Sequence, residues 1–547
     1  MPIVRSHDWR TAQGSADSLA LLDSGRSGWA VPRMESCSRH PLVAAMNEEI
    51  GSVQLAIIGS GFGGLGAGVM ALEQGIDSFV ILERSKAVGG TWRDNTYPGC
   101  ACDIPSNLYS FSFAQNSRWS RSYPAQPEIE EYLERITNHY SLRSRLRFGF
   151  DVENLVWNES DRCWVITSRN GDIVQASTVI CATGPLSQPS VPDLPGIDAF
   201  GGEIFHSASW RHDVDLTGAR VGVVGTGASA IQLVPAIADT VEHLDVFQRT
   251  PPWVLPRDDR PTPKWRQRLY RALPFLQRLH RWRIYFRQEF LAIAFLGQGK
   301  IAQGMTKRII EETKALITAA FDDPEMAATL IPEYTPGCKR LLISNDWYSA
   351  LAKPNVDLVS ATIDRVTQSG VRTSDGIEHE LDVLVLATGF AVADFPSPLR
   401  IFGRNGIDLA DHWSEGASTD FGLTVSGFPN LWFLAGPGTG LGHNSIVFMI
   451  EVQLEHISRA LHFMQKSSAV VLELRPEVEG SSYAELQKRI AKTVWASGCS
   501  SWYVSPGGQV DTIWPGTTTE YWWRARRFHS NRYVMTPGRF GEITPAR

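Results

Sequence analysis

The sequence predicts an α/β chain of two Rossmann-like dinucleotide-binding domains, the second carrying a helical insertion. Three observations carry that prediction. A glycine-rich turn, Gly59-Ser60-Gly61-Phe62-Gly63-Gly64, follows an apolar run and opens a helical pattern. A second such turn, Gly225-Thr226-Gly227-Ala228-Ser229-Ala230, does the same farther along. Two Ala-Thr-Gly turns, Ala182-Thr183-Gly184 and Ala387-Thr388-Gly389, each close another apolar strand. The 547 residues leave room for two or three domains, at roughly 100–200 residues each.

Gln54 to Ile58 is an apolar run ending at glycine, the pattern of a buried parallel strand. Leu65, Val69 and Leu72 recur at helical spacing up to Gly75, and Phe79 to Leu82 forms a second strand ending in Glu83. In such a βαβ unit Gly59 permits the tight turn, Gly61 lets a pyrophosphate approach the backbone, and Gly64 lets the helix pack on the strand. Phe62 and Gly63 lie in the same turn, and the helix N-terminus faces the pyrophosphate charge. Glu83 lies 24 positions after Gly59 (83 − 59), where an acid bonds a ribose 2′-hydroxyl. A glycine pattern alone is weak, but the two strands, the helix and the acid together make it specific.

The second unit repeats the first. Arg220 to Val224 reads as a strand, Ser229 to Ala238 as a helix, and His243 to Phe247 as the next strand, leading to Gln248-Arg249-Thr250. Arg249 lies 24 positions after Gly225 (249 − 225). A carboxylate there would repel a 2′-phosphate, whereas a guanidinium binds one through paired hydrogen bonds. The second site is therefore read as an NADPH site and the first as an FAD site. A hydride from one cofactor can then pass to the other.

Composition narrows the class further. Net charge is −6, from 52 basic and 58 acidic side chains, which gives no reason to expect nucleic acid. The seven cysteines are odd in number and scattered. They argue against a disulfide framework and for a reducing, cytoplasmic setting. Cys100 and Cys102 read as loop thiols without a second pair, so no metal is expected. No apolar run reaches the roughly 18 residues of a membrane span. Residues 1–49 read as a poorly ordered extension, whose apolar patch Leu19 to Leu22 is too short for a signal peptide.

Between the glycine turns lie two longer patterns. Gly89-Gly90-Thr91-Trp92, Tyr97-Pro98-Gly99 and Asp103 form one; Phe200, Gly202, His206 and Trp210 form the other. Together they resemble the fingerprint and signature of type I Baeyer–Villiger monooxygenases, class B flavoprotein monooxygenases, over about residues 52–465. Arg211 departs from the Pro or Asp that commonly closes the signature. The resemblance implies that FAD and NADPH serve to insert one oxygen atom of O2 beside a ketone carbonyl, by way of a flavin peroxide, giving an ester or lactone. It also implies that Arg340 stabilises that anion, that Lys339 helps bind the 2′-phosphate, and that Asp103 holds Arg340. On spacing alone Lys339-Arg340 would read as a surface basic pair. A fixed guanidinium suits the role because it stays charged at any working pH. His206 resembles a hinge residue more than a proton carrier. Thr91, Trp92, Tyr109, Val152 and Ile446 are further cofactor-binding candidates.

The implied division is an FAD domain of residues 50–195 plus 386–547, and an NADPH domain of 196–385 with a helical subregion at 260–335. The partners are a ketone and O2, with the chain a monomer or homodimer. Two rivals stay open: a nitrogen- or sulfur-oxidising flavin monooxygenase, and a non-catalytic redox sensor that binds both nucleotides.

Three stretches say less. Residues 264–288 carry eight Arg or Lys and no acid, interleaved with Trp265, Tyr270, Phe275, Trp282 and Phe286. They read as helices with a solvated basic face and aromatics in the core, although an interfacial membrane helix has the same composition. Pro437 to Asn444 precedes a helical pattern from Ser445 to Leu461, and its positive end would stabilise a reduced flavin. The tail aromatics, with Trp502 and Tyr503 as candidate substrate contacts, fit either a lid or core packing.

Overall fold

The protein is described by a computed structural model covering residues 49–296, 299–498, 503–505 and 507–538. Residues 1–48 of the expected extension, and Trp502, lie outside the described residues.

The first glycine turn joins β1 (Glu49–Ile58) to α1 (Phe62–Glu73), which returns to β2 (Phe79–Glu83). Leu55 to Ile58 are all at most 5% exposed. That burial on both faces is why the strand reads as a continuous apolar run rather than an alternating one. After β3 (Leu146–Phe148), an antiparallel excursion of β4 (Val152–Asn158) and β5 (Cys163–Ser168) leads to β6 (Ile173–Cys181). The sheet runs Arg400–Phe402, β4, β5, β6, β1, β2, β3, with Leu431–Phe433 also pairing in parallel with β6. β1 is parallel to both β2 and β6.

The second sheet is parallel throughout. Its strands are β7 (Glu203–His206), β8 (Arg220–Val224), β9 (His243–Phe247), β10 (Val356–Val359) and β11 (Val383–Leu386). They lie in the order β10, β9, β8, β11, β7. The helix after the second glycine turn, α2 (Ala230–Ile237), buries Ile231, Leu233, Val234 and Ile237. Three further helices, α3 (Lys264–Ala272), α4 (Pro274–Leu296) and α5 (Lys300–Ala320), lie between β9 and β10 in the chain. A long helix, α6 (Ile446–Ser467), packs on α1.

Two readings of the sequence are corrected. The first concerns residues 264–288. Trp265, Phe275 and Phe286 are exposed and Arg281 is buried, while Tyr270 and Tyr285 are the buried aromatics. Helical spacing reveals that a helix has two faces, but not which of them meets the protein. The second concerns cysteine. Cys338 is disulfide-bonded, whereas Cys100, Cys102 and Cys181 are free and buried. Cysteine spacing in the sequence does not say which thiols folding brings together.

Of the tail, Trp514 and Tyr521 are core residues and Trp523 is exposed. Tyr503 is packed in a cluster with Phe295, Trp495 and Ile513.

Candidate active site

Both glycine turns open into one cavity of ≈ 1050 Å³. Gly59, Gly61, Phe62 and Gly63 line it from the first turn, and Gly225 to Ser229 from the second. Gly64 and Ala230 lie behind those walls; a Cβ on Gly64 would overlap the Gly59 carbonyl oxygen. Each turn begins with a glycine at positive φ, +99° at Gly59 and +111° at Gly225. A Cβ would meet the Ala182 carbonyl oxygen at 2.6 Å in the first case and that of Ala387 at 2.7 Å in the second. Those alanines open the two Ala-Thr-Gly turns. Glycine turn and Ala-Thr-Gly turn are thus packed side by side at adjacent strand ends, and only a residue without a side chain fits the first position.

Glu83, at the end of β2, is 3% exposed. Its Oε2 accepts from the Ser60 backbone N–H (2.9 Å) and hydroxyl (2.6 Å), and its Oε1 from the Ser85 N–H (2.9 Å). Arg93 pairs with Oε1 at 3.0 Å. The carboxylate therefore fixes the first turn and also faces the cavity. Nearby, Thr91 and Trp92 line the wall, and the Trp92 indole N–H donates to the Tyr109 hydroxyl (3.0 Å). The Tyr109 ring meets Phe62 edge-on at 5.1 Å. Val152 and Ile446 complete this side.

At the second turn the Thr226 hydroxyl donates to the Thr250 carbonyl (3.0 Å). Arg249 and Lys339 both line the cavity here. The Lys339 ammonium lies 5.0 Å from the centroid of the Tyr334 ring. Burial, and then the positive charge of Arg249, lower its pKa. Two cations that disfavour each other in one corner form a ready site for an anion.

Arg340 lies between the two turns. Its Nε donates to Asp103 Oδ2 at 2.7 Å, its Nη2 lies 2.6 Å from the same oxygen, and its Nη1 donates to the Leu441 carbonyl at 3.2 Å. The field of Asp103 raises the guanidinium's pKa above its ordinary value. Asp103 comes from the Gly89–Asp103 fingerprint, and Leu441 from the turn ahead of α6. Three segments far apart in the chain thus hold one charge. Burial pushes the neighbouring Tyr503 phenol up to about 12, against the opposing charge of Arg340. Tyr503 is 1% exposed and packs behind Arg340 rather than in the cavity wall. Cys100, whose thiol burial pushes up to about 12, stays protonated.

The signature residues lie elsewhere. Phe200, Gly202, His206 and Trp210 do not line the cavity. Trp210 meets Phe205 edge-on at 5.1 Å, and Gly202 packs on the Asp382 carbonyl. His206 pairs in register with Leu386, one residue before the second Ala-Thr-Gly turn. Its Nδ1 accepts from the Ala208 N–H (3.0 Å), and burial lowers its pKa.

Sequence reading missed two contributors. The Leu441 carbonyl is a backbone group and carries no residue-type signal. Gln232, on α2, accepts from the Tyr97 hydroxyl (3.0 Å) and donates to the Ala101 carbonyl (2.9 Å), joining the fingerprint segment to the second glycine turn. Gly99 makes this approach possible, since a Cβ there would meet the Gln232 carbonyl at 2.5 Å.

Comparison with known proteins agrees with this geometry. Residues 56–320 match the pyridine nucleotide-disulphide oxidoreductase family. A Baeyer–Villiger monooxygenase of Streptomyces coelicolor is 45% identical over 89% of this chain and 93% of its own length. One from Pseudomonas aeruginosa is 41% identical over 88% and 91%. The crystal structure of OTEMO in complex with FAD and NADP superposes with a TM-score of 0.80 at 28% identity, over 88% of this chain and 99% of that one. A closed crystal structure of cyclohexanone monooxygenase superposes at 0.78 with 29% identity, over 89% and 100%. The chain belongs to the Baeyer–Villiger monooxygenases.

Proposed function

We propose that this chain oxidises a ketone to an ester or lactone: ketone, O2, NADPH and a proton give the ester, water and NADP⁺. The observation that carries this reading is the Arg340–Asp103 pair, set in the same cavity as two dinucleotide turns. The residues fit the two cofactors. A Cβ on Gly61 would lie 3.7 Å from the Gly90 Cα, so bare backbone floors the first site, and Glu83 stands at its edge. Arg249 and Lys339 supply paired cations for a 2′-phosphate at the second. Bound FAD supplies electron transfer and oxygen activation, and NADPH supplies the hydride.

The chain's own residues then have separable tasks. Arg340 provides a permanent positive charge where oxygen activation develops negative charge, and Asp103 and the Leu441 carbonyl fix its direction. Thr91, Trp92, Tyr109, Val152 and Ile446 hold and shield the flavin side. Gly225 to Ala230, with Thr250, hold the nicotinamide dinucleotide. His206, with Phe200, Gly202 and Trp210, forms the joint at which the strand-end turns cross between domains, rather than a proton relay. We assign residues 50–195 plus 386–547 to the FAD domain and 196–385 to the NADPH domain. A cytoplasmic setting is supported by the buried thiols of Cys100, Cys102 and Cys181 and opposed by the disulfide at Cys338.

Turnover of a panel of cyclic ketones and phenylacetone-like ketones, with product identification, tests the reaction. Esters or lactones are expected. Sulfoxides or N-oxides alone would transfer the reading to the heteroatom oxidases. NADPH consumption indifferent to every ketone would favour a sensor. Coenzyme choice is tested separately. Arg249→Ala is expected to raise the KM for NADPH by about 10–100-fold, the value of one charge-assisted interaction, and to leave NADH kinetics nearly unchanged. Equal losses with both coenzymes would remove Arg249 from the phosphate site.

A further inference from the structure

Helix α4 departs from an ordinary surface helix, which buries its apolar stripe and leaves the opposite face polar. Its protein-facing side buries Gln277, Arg281 and Gln288 beside Ile284, Tyr285, Ala292 and Phe295. Gln277 donates to the Asn107 side chain and the Asn116 carbonyl, each at 2.8 Å. Arg281 donates to the carbonyls of Asn107, Leu108 and Ser110. Its outward side carries Phe275, Leu279, Phe286 and Phe290, each more than 55% exposed. These stand at i, i+4, i+11 and i+15, and Trp282 at i+7 stacks on Phe286 with centroids 5.8 Å apart. The neighbouring helices α3 and α5 expose Trp265 and Ile301. Single exposed apolar residues need no explanation, but a continuous helical row of them does.

The charges beside this row have one sign. Arg278, Arg283 and Arg287 are exposed on α4, and Lys264, Arg268 and Arg271 on α3. No acid occurs between Lys264 and Gln288. Among the described residues, Arg278 and Arg283 make no ion pair. We infer that this face of α3 and α4 docks on an anionic lipid bilayer surface, with α4 lying in the interface. Phenylalanine and leucine would enter the acyl boundary, while the arginine stems run along it and their heads reach the phosphates. A second copy of the chain is the weaker occupant, because a two-fold interface sets the same patch against itself and so arginine against arginine. No helix among the described residues is long and apolar enough to cross a membrane, so docking is peripheral. The inference stands apart from the reaction proposed above.

The test is flotation of the FAD-loaded full chain with phosphatidylcholine vesicles and with vesicles that also contain phosphatidylglycerol. Binding is expected to the anionic vesicles at low salt and to weaken as salt screens it. Arg278→Gln with Arg283→Gln should lower partitioning about fivefold per charge. Phe286→Ser with Phe290→Ser should lower it on the order of tenfold per ring. Both variants should keep the wild-type NADPH oxidation rate, since none of these side chains lines the cavity, and the arginine variant should also keep the melting temperature. Failure of the wild type to bind anionic vesicles at low salt overturns the proposal, as does equal binding by both variants. Sedimentation equilibrium showing a dimer that Phe286→Ser with Phe290→Ser dissociates would assign the face to a second copy instead.

Discussion

Replacing Arg340 by alanine is expected to leave NADPH-driven reduction of the flavin intact and to lower ester formation by at least about 10²–10³-fold, the usual cost of losing one preorganised charge partner. The two effects separate because the two tasks lie on different residues. In the proposed assignment hydride delivery depends on the nucleotide turns and on Arg249 and Lys339, whereas Arg340 donates to Asp103 and to the Leu441 carbonyl. Lys339 cannot substitute. It stands over the Tyr334 ring, and both burial and Arg249 depress its pKa. Arg340→Lys keeps a charge but forfeits the fork that reaches Asp103 and Leu441 together, so an intermediate loss is expected. Asp103→Asn should fall between the two, because it frees the guanidinium without removing it. Anaerobic stopped-flow bleaching of the flavin measures the first half, and product analysis under air the second. NADPH consumption that outruns ester formation in Arg340→Ala is the expected signature. Full ester yield from that variant would mean the charge comes from elsewhere.

The difference between legible and illegible parts of this molecule follows from the range of the interactions. The two glycine turns are local: strand, turn, helix and acid lie within a few tens of residues, so spacing alone carries them, and their equal offsets separate Glu83 from Arg249. The Arg340–Asp103 pair joins positions 237 residues apart. No periodicity or local pattern can report such a contact, and only family resemblance pointed to it. Gln232 and the Leu441 carbonyl had not even that, since each acts through tertiary placement. The insertion failed for another reason. Its 3.6-residue pattern was clear, but the inward face is the one whose polar groups find partners, and the partners of Arg281 are carbonyls of a loop more than 160 residues away in the chain.

That same buried arginine supports the second large effect. Arg281→Met is expected to destabilise the protein by about 3–5 kcal/mol, the cost of stranding one member of a buried ion pair. Arg281 is 7% exposed and Glu451 5%. The Arg281 Nη2 lies 3.5 Å from Glu451 Oε2, while Glu451 Oε1 accepts from the Ser112 N–H at 2.6 Å. Burial lowers the pKa of the guanidinium and raises that of the carboxyl, so desolvation outweighs their mutual attraction on both sides. Arg281 is the largest influence opposing the rise at Glu451, and without it the carboxyl's folded pKa climbs further. A group whose folded pKa lies above its unfolded value contributes stability below the unfolded pKa and loses it as pH rises toward the folded one. The deficit of Arg281→Met should therefore be smaller near pH 5 than near pH 8, starting from an unfolded glutamate value of about 4.3. Arg281→Met with Glu451→Leu should recover part of the loss, because the pair then disappears together and an apolar contact replaces it. Thermal melts at the two pH values are the measurement, with a drop of about 3–4 °C for the single variant. An unchanged melting temperature in Arg281→Met would show that α4 is held to the loop at Asn107–Ser110 by its other contacts, and a double variant no better than the single would show that Glu451 does not need its partner.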